Sequence, residues 1–266
     1  MLRRIFTIVP LILLLGSTLL LVFMNIVGAN NSSILGDFYW SEADTSSISK
    51  ANFPKTRWTS YNMCGVKNGR NSNCLSAAPA YPFSPEDNFS TKQGIPQSFV
   101  DHRSTYYYLT RFAYVFFLIG IFFTVVALIP VALSMCLTGF VSGILSSVAV
   151  GLALLFVAAG ASVMTAAHVK GRNAFRNAGM SADLGVKMFA ITWAAVACLL
   201  LSLLFMCVVS GRAGARKVQR RSDFYEDKPA PARSTSSSSF DRTAVEPYAS
   251  QQAEPKHFFK FRRNEV

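Results

Sequence analysis

Apolar residues along this chain gather in four long blocks rather than alternating with polar ones. Residues 5–27, 112–133 and 137–164 contain no Asp, Glu, Lys, Arg or His, and 186–209 contains only Lys187, at its second position. A hydrocarbon core ~30 Å thick takes about 20 residues of α-helix, and each block is longer than that. Buried helices of a soluble protein are usually shorter and amphipathic, so the pattern predicts four spanning helices. Between them lie a long polar segment, 28–111, a turn at 134–136 and a shorter polar segment, 165–185. A stub at 1–4 and a tail at 210–266 complete the chain. The first block follows Arg3 and Arg4 and ends near the small residues Val27, Gly28 and Ala29, where a signal peptidase could cut. Its apolar stretch exceeds the roughly 7–15 residues of a secretory signal, so a retained span is expected.

Composition sharpens this picture: 51% of residues are hydrophobic, 15% are charged, and the formal net charge is +12. Lys and Arg flanking the spans set orientation, while long loops carry little weight. Arg3, Arg4, Arg212, Arg216, Lys217, Arg220 and Arg221 fall on one side, against Lys170, Arg172, Arg176 and Lys187 on the other. Both termini are therefore expected in the cytosol, with 28–111 outside. An ion-coupled transporter normally places an ionisable residue at mid-membrane, and none is present. No zinc-protease helix, Walker loop, dinucleotide turn or nucleophile elbow occurs, and His102, His168 and His257 are far apart in sequence. Catalysis, a cofactor and a metal are not expected.

In an oxidising exterior, Cys64 and Cys74 are expected to form a disulfide, stabilising by about 3 kcal/mol in the chain-entropy model. Lys67-Asn68-Gly69 between them is a tight-turn signal, predicting a short stapled hairpin. Phe38, Tyr39, Trp40 and Tyr106 to Tyr108 sit where interfacial rings are favoured, and Pro82 and Pro85 interrupt regular structure. Cys136 and Cys207, near the inner ends of spans two and four, are either palmitoylation candidates or small packing residues.

The patterned stretches of the long loop are FYWSEADTS (38–46), RWTSYNMC (57–64), NSNC (71–74), APAYPFSPEDNF (78–89) and TYYYLTR (105–111). On these the chain resembles the fungal Sur-seven/PalI family of claudin-like tetraspan proteins, most of all the branch that marks eisosomes, static furrow domains of the fungal plasma membrane. The resemblance extends over the four spans and fades in the tail. It implies an all-α membrane bundle carrying a small β-containing outer domain, with Trp58 packed on a disulfide-braced sheet and, together with Trp40, anchoring the loop. A solvent-facing ligand contact is the other role open to Trp58. The resemblance further implies residence in cortical patches, eisosome scaffold proteins as partners, and roles in domain organisation, endocytosis and cell-wall integrity. The PalI branch implies instead a receptor or auxiliary subunit in ambient-pH signalling.

Further features carry chemistry. Asn88-Phe89-Ser90 is a glycosylation sequon, as are those starting at Asn30 and Asn31, which abut the membrane. Gly139, Gly143, Ser147 and Gly151 recur every four residues and form a small-residue helix face, suited to packing within the bundle or against a second copy. At the C-terminus, Lys256, Phe258, Phe259, Lys260, Phe261, Arg262 and Arg263 interleave rings and cations. That composition suits docking on anionic, phosphoinositide-rich membrane or a partner's acidic groove. Nucleic acid is not an expected partner of a membrane-tethered tail.

Overall fold

A computed structural model of the chain describes the backbone of residues 2–29, 35–133 and 140–226, and the side chains of 8–29, 35–133, 144–208 and 211. The chain divides into a unit Met1–Ser222 and a unit Asp223–Val266, of which residues 223–226 are described. Cys136, Gly139, the first two sequons and the Lys256 to Arg263 motif lie outside the described residues.

Four long helices form the bundle: α1 (Leu2–Ile26), α4 (Arg103–Leu133), α5 (Phe140–Asn177) and α6 (Val186–Glu226). Each contains a stretch long and apolar enough to cross a membrane. Their outward faces are apolar, with Leu19 70%, Phe122 61% and Leu155 62% exposed, the inverse of a soluble protein. Inside, Leu14, Leu21, Phe117, Val157, Met188 and Leu199 form one continuous core.

The small helices α2 (Pro85–Phe89) and α3 (Gln97–Asp101) and five short strands form a lid at one end of this bundle. The strands are β1 (Ser41–Asp44), β2 (Lys55–Trp58), β3 (Met63–Lys67), β4 (Arg70–Ser72) and β5 (Ala182–Leu184). They make one antiparallel sheet in the order β4-β3-β2-β1-β5. The turn from β3 to β4 places Asn68 and Gly69 at φ 53° and 74°, the paired positive values a two-residue hairpin turn needs. Beside it Cys64 and Cys74 are disulfide-bonded. The β5 strand comes from the second polar segment and pairs with β1 in register Ser41↔Leu184 and Ala43↔Ala182, so both loops build one sheet.

On the lid side, two helices run on past the uncharged blocks. Helix α4 starts nine residues before Phe112, and α5 continues through His168 to Asn177. These projecting turns remain helical because they turn amphipathic. Met164, Ala167, His168, Gly171, Ala174 and Phe175 are buried at spacings of three and four, while Lys170 and Asn173 face out. The lid has its own core on this platform, comprising Ala43, Trp58, Met63, Phe83, Phe89, Phe99, Tyr106 and Phe175 among others.

The closest helix approach is between α4 and α5. A Cβ at Gly160 would lie 3.0 Å from Phe117 Cε1 and 3.1 Å from the Ala113 carbonyl, and one at Gly120 would collide with Val157 Cγ2. A Cβ at Gly151 would meet nothing within 4 Å. Gly160→Val is therefore expected to lower stability by about 1–3 kcal/mol through overpacking. Gly151→Val should stay within about 0.5 kcal/mol. Thermal unfolding of the two variants in detergent checks the contrast, and equal shifts would contradict it.

Candidate functional site

The patterned loop stretches supply the large rings that join lid and bundle, together with the polar contacts that brace the lid. Trp58, at the end of β2, is 1% exposed. Its ring packs against Phe83, Phe89 and Phe175 at centroid distances of 5.1, 6.2 and 5.9 Å. Its indole N–H, which burial would otherwise leave unpaired, donates to Asn88 Oδ1 at 2.9 Å. That oxygen also accepts from the Ser84 backbone N–H at 3.3 Å. The half-buried sequon asparagine thus acts as an acceptor inside the lid.

Trp40 lies in the bundle core rather than the lid core. It stacks on Phe117 of α4 and His168 of α5 and meets Phe189 of α6 edge-on at 5.2 Å. Its N–H donates to Ser60 Oγ at 3.1 Å, and that hydroxyl donates in turn to the Met24 carbonyl of α1 at 3.3 Å. One tryptophan therefore reaches all four long helices. His168 is buried beneath it, with Nδ1 2.8 Å from Ser41 Oγ and its ring 4.4 Å from that of Phe83.

The stretch SEADTS builds the turn that leaves β1. Asp44 Oδ1 accepts from the Ser46 backbone N–H at 3.0 Å, and Thr45 Oγ1 donates to the Phe53 carbonyl at 2.7 Å. Glu42, on the other face of the sheet, bonds Arg57 at 2.5 Å and Lys55 at 2.9 Å. Arg57 is buried beneath the Tyr39 ring, 4.1 Å from its centroid, and also donates to the Gly69 carbonyl at 2.9 Å. Within PFSPEDNF, Ser84 bonds Asp87, and Asp87 pairs with Arg103 at the start of α4. The Phe83 N–H donates to Thr110 Oγ1 at 3.1 Å. In TYYYLTR, Tyr106 is buried on Phe99 and Arg111 reaches the Ala80 carbonyl at 3.3 Å.

Space at this joint is small. The small cavity lined by Trp40, Trp58, Ser60, Thr110, Tyr114 and His168 has room for about one water molecule. No group of three or more His, Cys, Asp and Glu suited to a metal occurs among the described residues. The arrangement is built to fasten two layers of the protein together.

Several of these residues were not evident from sequence. Glu42 and Arg57 look like solvated surface charges until β1 and β2 pair, and His168 is a solitary histidine whose partner Ser41 is 127 positions away. The readable signal was the three-and-four spacing from Met164 to Phe175. Among the other sequence candidates, Gly151 faces open space, Ser147 is half-buried and Cys207 is exposed.

The lid should be sensitive to acid. Burial alone would raise the Glu42 carboxyl, but hydrogen bonds from Lys55 and Arg57 outweigh it and hold the group below its ordinary value. Asp87 is lowered likewise, with Arg103 and Ser84 outweighing burial. A depressed carboxylate stabilises the fold above its unfolded pKa, and that contribution is lost as pH falls through the folded value. The lid is expected to hold from pH 7 to about 5 and to loosen below about 4. Hydrogen exchange across residues 38–111 checks this, with Glu42→Gln removing part of the acid step; a flat profile down to about pH 3 contradicts the ion-pair account.

These joint-forming stretches lie within a wider similarity to known proteins. The sequence model of the SUR7/PalI family matches residues 6–205. The SUR7 family protein FMP45 of Saccharomyces cerevisiae is 38% identical over 230 residues, covering 86% of this chain and 74% of that protein. Protein SUR7 of Candida albicans is 38% identical over 268 residues, covering 99% and 97%. The plasma membrane protein YNL194C of Saccharomyces cerevisiae is 36% identical over 190 residues, covering 71% and 62%. A match that takes in the lid and all four spans leaves one conclusion: the chain is a membrane protein belonging to the SUR7/PalI family.

Proposed function

We propose that this chain is a non-enzymatic organising protein of a fungal plasma-membrane microdomain, the eisosome furrow. In this reading it supports domain organisation, endocytosis and cell-wall integrity. The observation that carries the reading is the use made of the patterned residues: the tryptophans fasten the lid to the bundle, the buried ion pair and the disulfide brace the lid itself, and the joint leaves a cavity of about one water. A receptor would be expected to keep a ligand-sized space at this joint, and a transporter an ionisable path through the spans. A relative named for the plasma membrane supports the location.

In this arrangement the lid faces the cell wall and both termini lie in the cytosol. The tail from Lys256 to Arg263 contacts anionic lipid and eisosome scaffold proteins. The open small-residue face at Gly151 meets a second copy, since no described residue of the chain packs against it within 4 Å.

The test is the behaviour of a fluorescent fusion in cells. The wild-type chain should form immobile cortical patches that coincide with furrow markers and do not recover after photobleaching. A Cys64→Ser, Cys74→Ser chain, losing about 3 kcal/mol from the lid, should reach the membrane but leave the patches. A mobile, uniform or endosomal wild-type signal would exclude the reading and favour the ambient-pH signalling role.

A further inference from the structure

The lid's carboxylates mostly hold cations of their own. Asp37, Glu42, Glu86, Asp87 and Asp183 each pair with a Lys or Arg. Arg111 differs. It immediately precedes the uncharged stretch 112–133, whose 22 residues rise about 33 Å as helix, enough for a ~30 Å hydrocarbon core. Its guanidinium therefore lies at headgroup depth on the lid side of the membrane. No carboxylate pairs with it among the described residues. Nη1 donates to the Tyr107 hydroxyl at 2.8 Å and Nε to the Ala80 carbonyl at 3.3 Å, both neutral acceptors, and Nη2 has no protein acceptor among those residues.

The guanidinium is also held in position. Its central carbon sits 4.9 Å from the centroid of the Tyr107 ring, which Arg103 approaches from the preceding turn at 5.8 Å. Beside Arg111 on the helix surface, Tyr108, Phe112 and Val115 are 54%, 59% and 45% exposed, a face turned to lipid. Aromatic rings favour that interfacial level, and a guanidinium fork matches the oxygens of a phosphate.

We propose that Arg111, positioned by Tyr107 and Ala80, binds the phosphodiester of a net-anionic phospholipid in the lid-side leaflet, with Tyr108 and Phe112 against the lipid's glycerol and upper acyl carbons. A phosphocholine phosphate already carries its own ammonium, so a headgroup lacking a cation is the better match for an uncompensated guanidinium. This site is separate from the tail motif and from the cytosolic leaflet.

The full chain is reconstituted in nanodiscs containing a photoactivatable phosphatidylglycerol, irradiated and digested, and the label is mapped by mass spectrometry, which separates α4 peptides from tail peptides. Label is expected on the segment 107–115. It should fall several-fold in Arg111→Gln and stay unchanged in Lys170→Gln, a cation on the neighbouring helix. A photoactivatable diacylglycerol, which has no phosphate, should label this segment no more than Arg111→Gln does. Millimolar inorganic phosphate should not compete, which distinguishes a lipid from a free-anion site. Equal labelling by Arg111→Gln, equal labelling by the diacylglycerol, or release by inorganic phosphate would overturn the proposal. If Arg111→Gln fails to fold, the diacylglycerol comparison on the wild-type chain decides.

Discussion

Five strands of three to five residues cannot hold themselves together in water, because a sheet this small needs a hydrophobic base to pack against. The base here is the projecting ends of α4 and α5, and Trp58 is the side chain that seats the sheet on them. Removing a buried ring of this size typically costs about 3–5 kcal/mol. The contacts around it form one connected set: Phe83 touches Phe99, Tyr106 and His168, and Phe99 touches Phe175. Every other feature of the lid presupposes this seat.

The disulfide and the ion pair do different work. The Cys64–Cys74 bridge narrows the unfolded ensemble by about 3 kcal/mol in the chain-entropy model, yet it joins β3 to the chain just beyond β4 and says nothing about where the hairpin lies on the bundle. The buried Glu42–Arg57 pair adds little net stability over an apolar equivalent, but losing one partner leaves an uncompensated buried charge at about 3–5 kcal/mol. It therefore acts more on register than on stability, because only the observed pairing of Glu42 with Arg57 across β1 and β2 brings the charges together. Position comes from the rings, closure from the sulfurs and register from the charges.

What could be read from sequence follows from how local each signal is. The spans were legible because a run without charge has few interpretations, and the hairpin because paired cysteines flank an Asn-Gly turn. β5 was not legible. Ala182 to Leu184 is too short to announce a strand and is recruited by β1 across some 140 positions of chain. The tight helix contacts at Gly120 and Gly160 escaped notice for the same reason, since each is a single glycine whose partner lies on another helix, whereas the repeated stripe at Gly143, Ser147 and Gly151 is conspicuous in sequence and open at Gly151. The resemblance located the important stretches, but the assignment of Trp40 to the bundle core and Trp58 to the lid core required coordinates.

That division between the tryptophans bears on how the protein moves. The Trp40 backbone N–H donates to the Trp58 carbonyl at 2.8 Å, so the two rings hang from adjacent rungs of one ladder while belonging to different cores. Displacing the lid would have to open both cores at once, and close-packed interiors resist gradual deformation. Regions that move independently are usually poor in buried apolar contacts, and this joint is rich in them. A load on the lid is accordingly carried into α4, α5 and α6 rather than absorbed at a hinge. Rigid transmission of this kind is consistent with the organising role proposed above, and it leaves little freedom for the joint to open and close around a ligand.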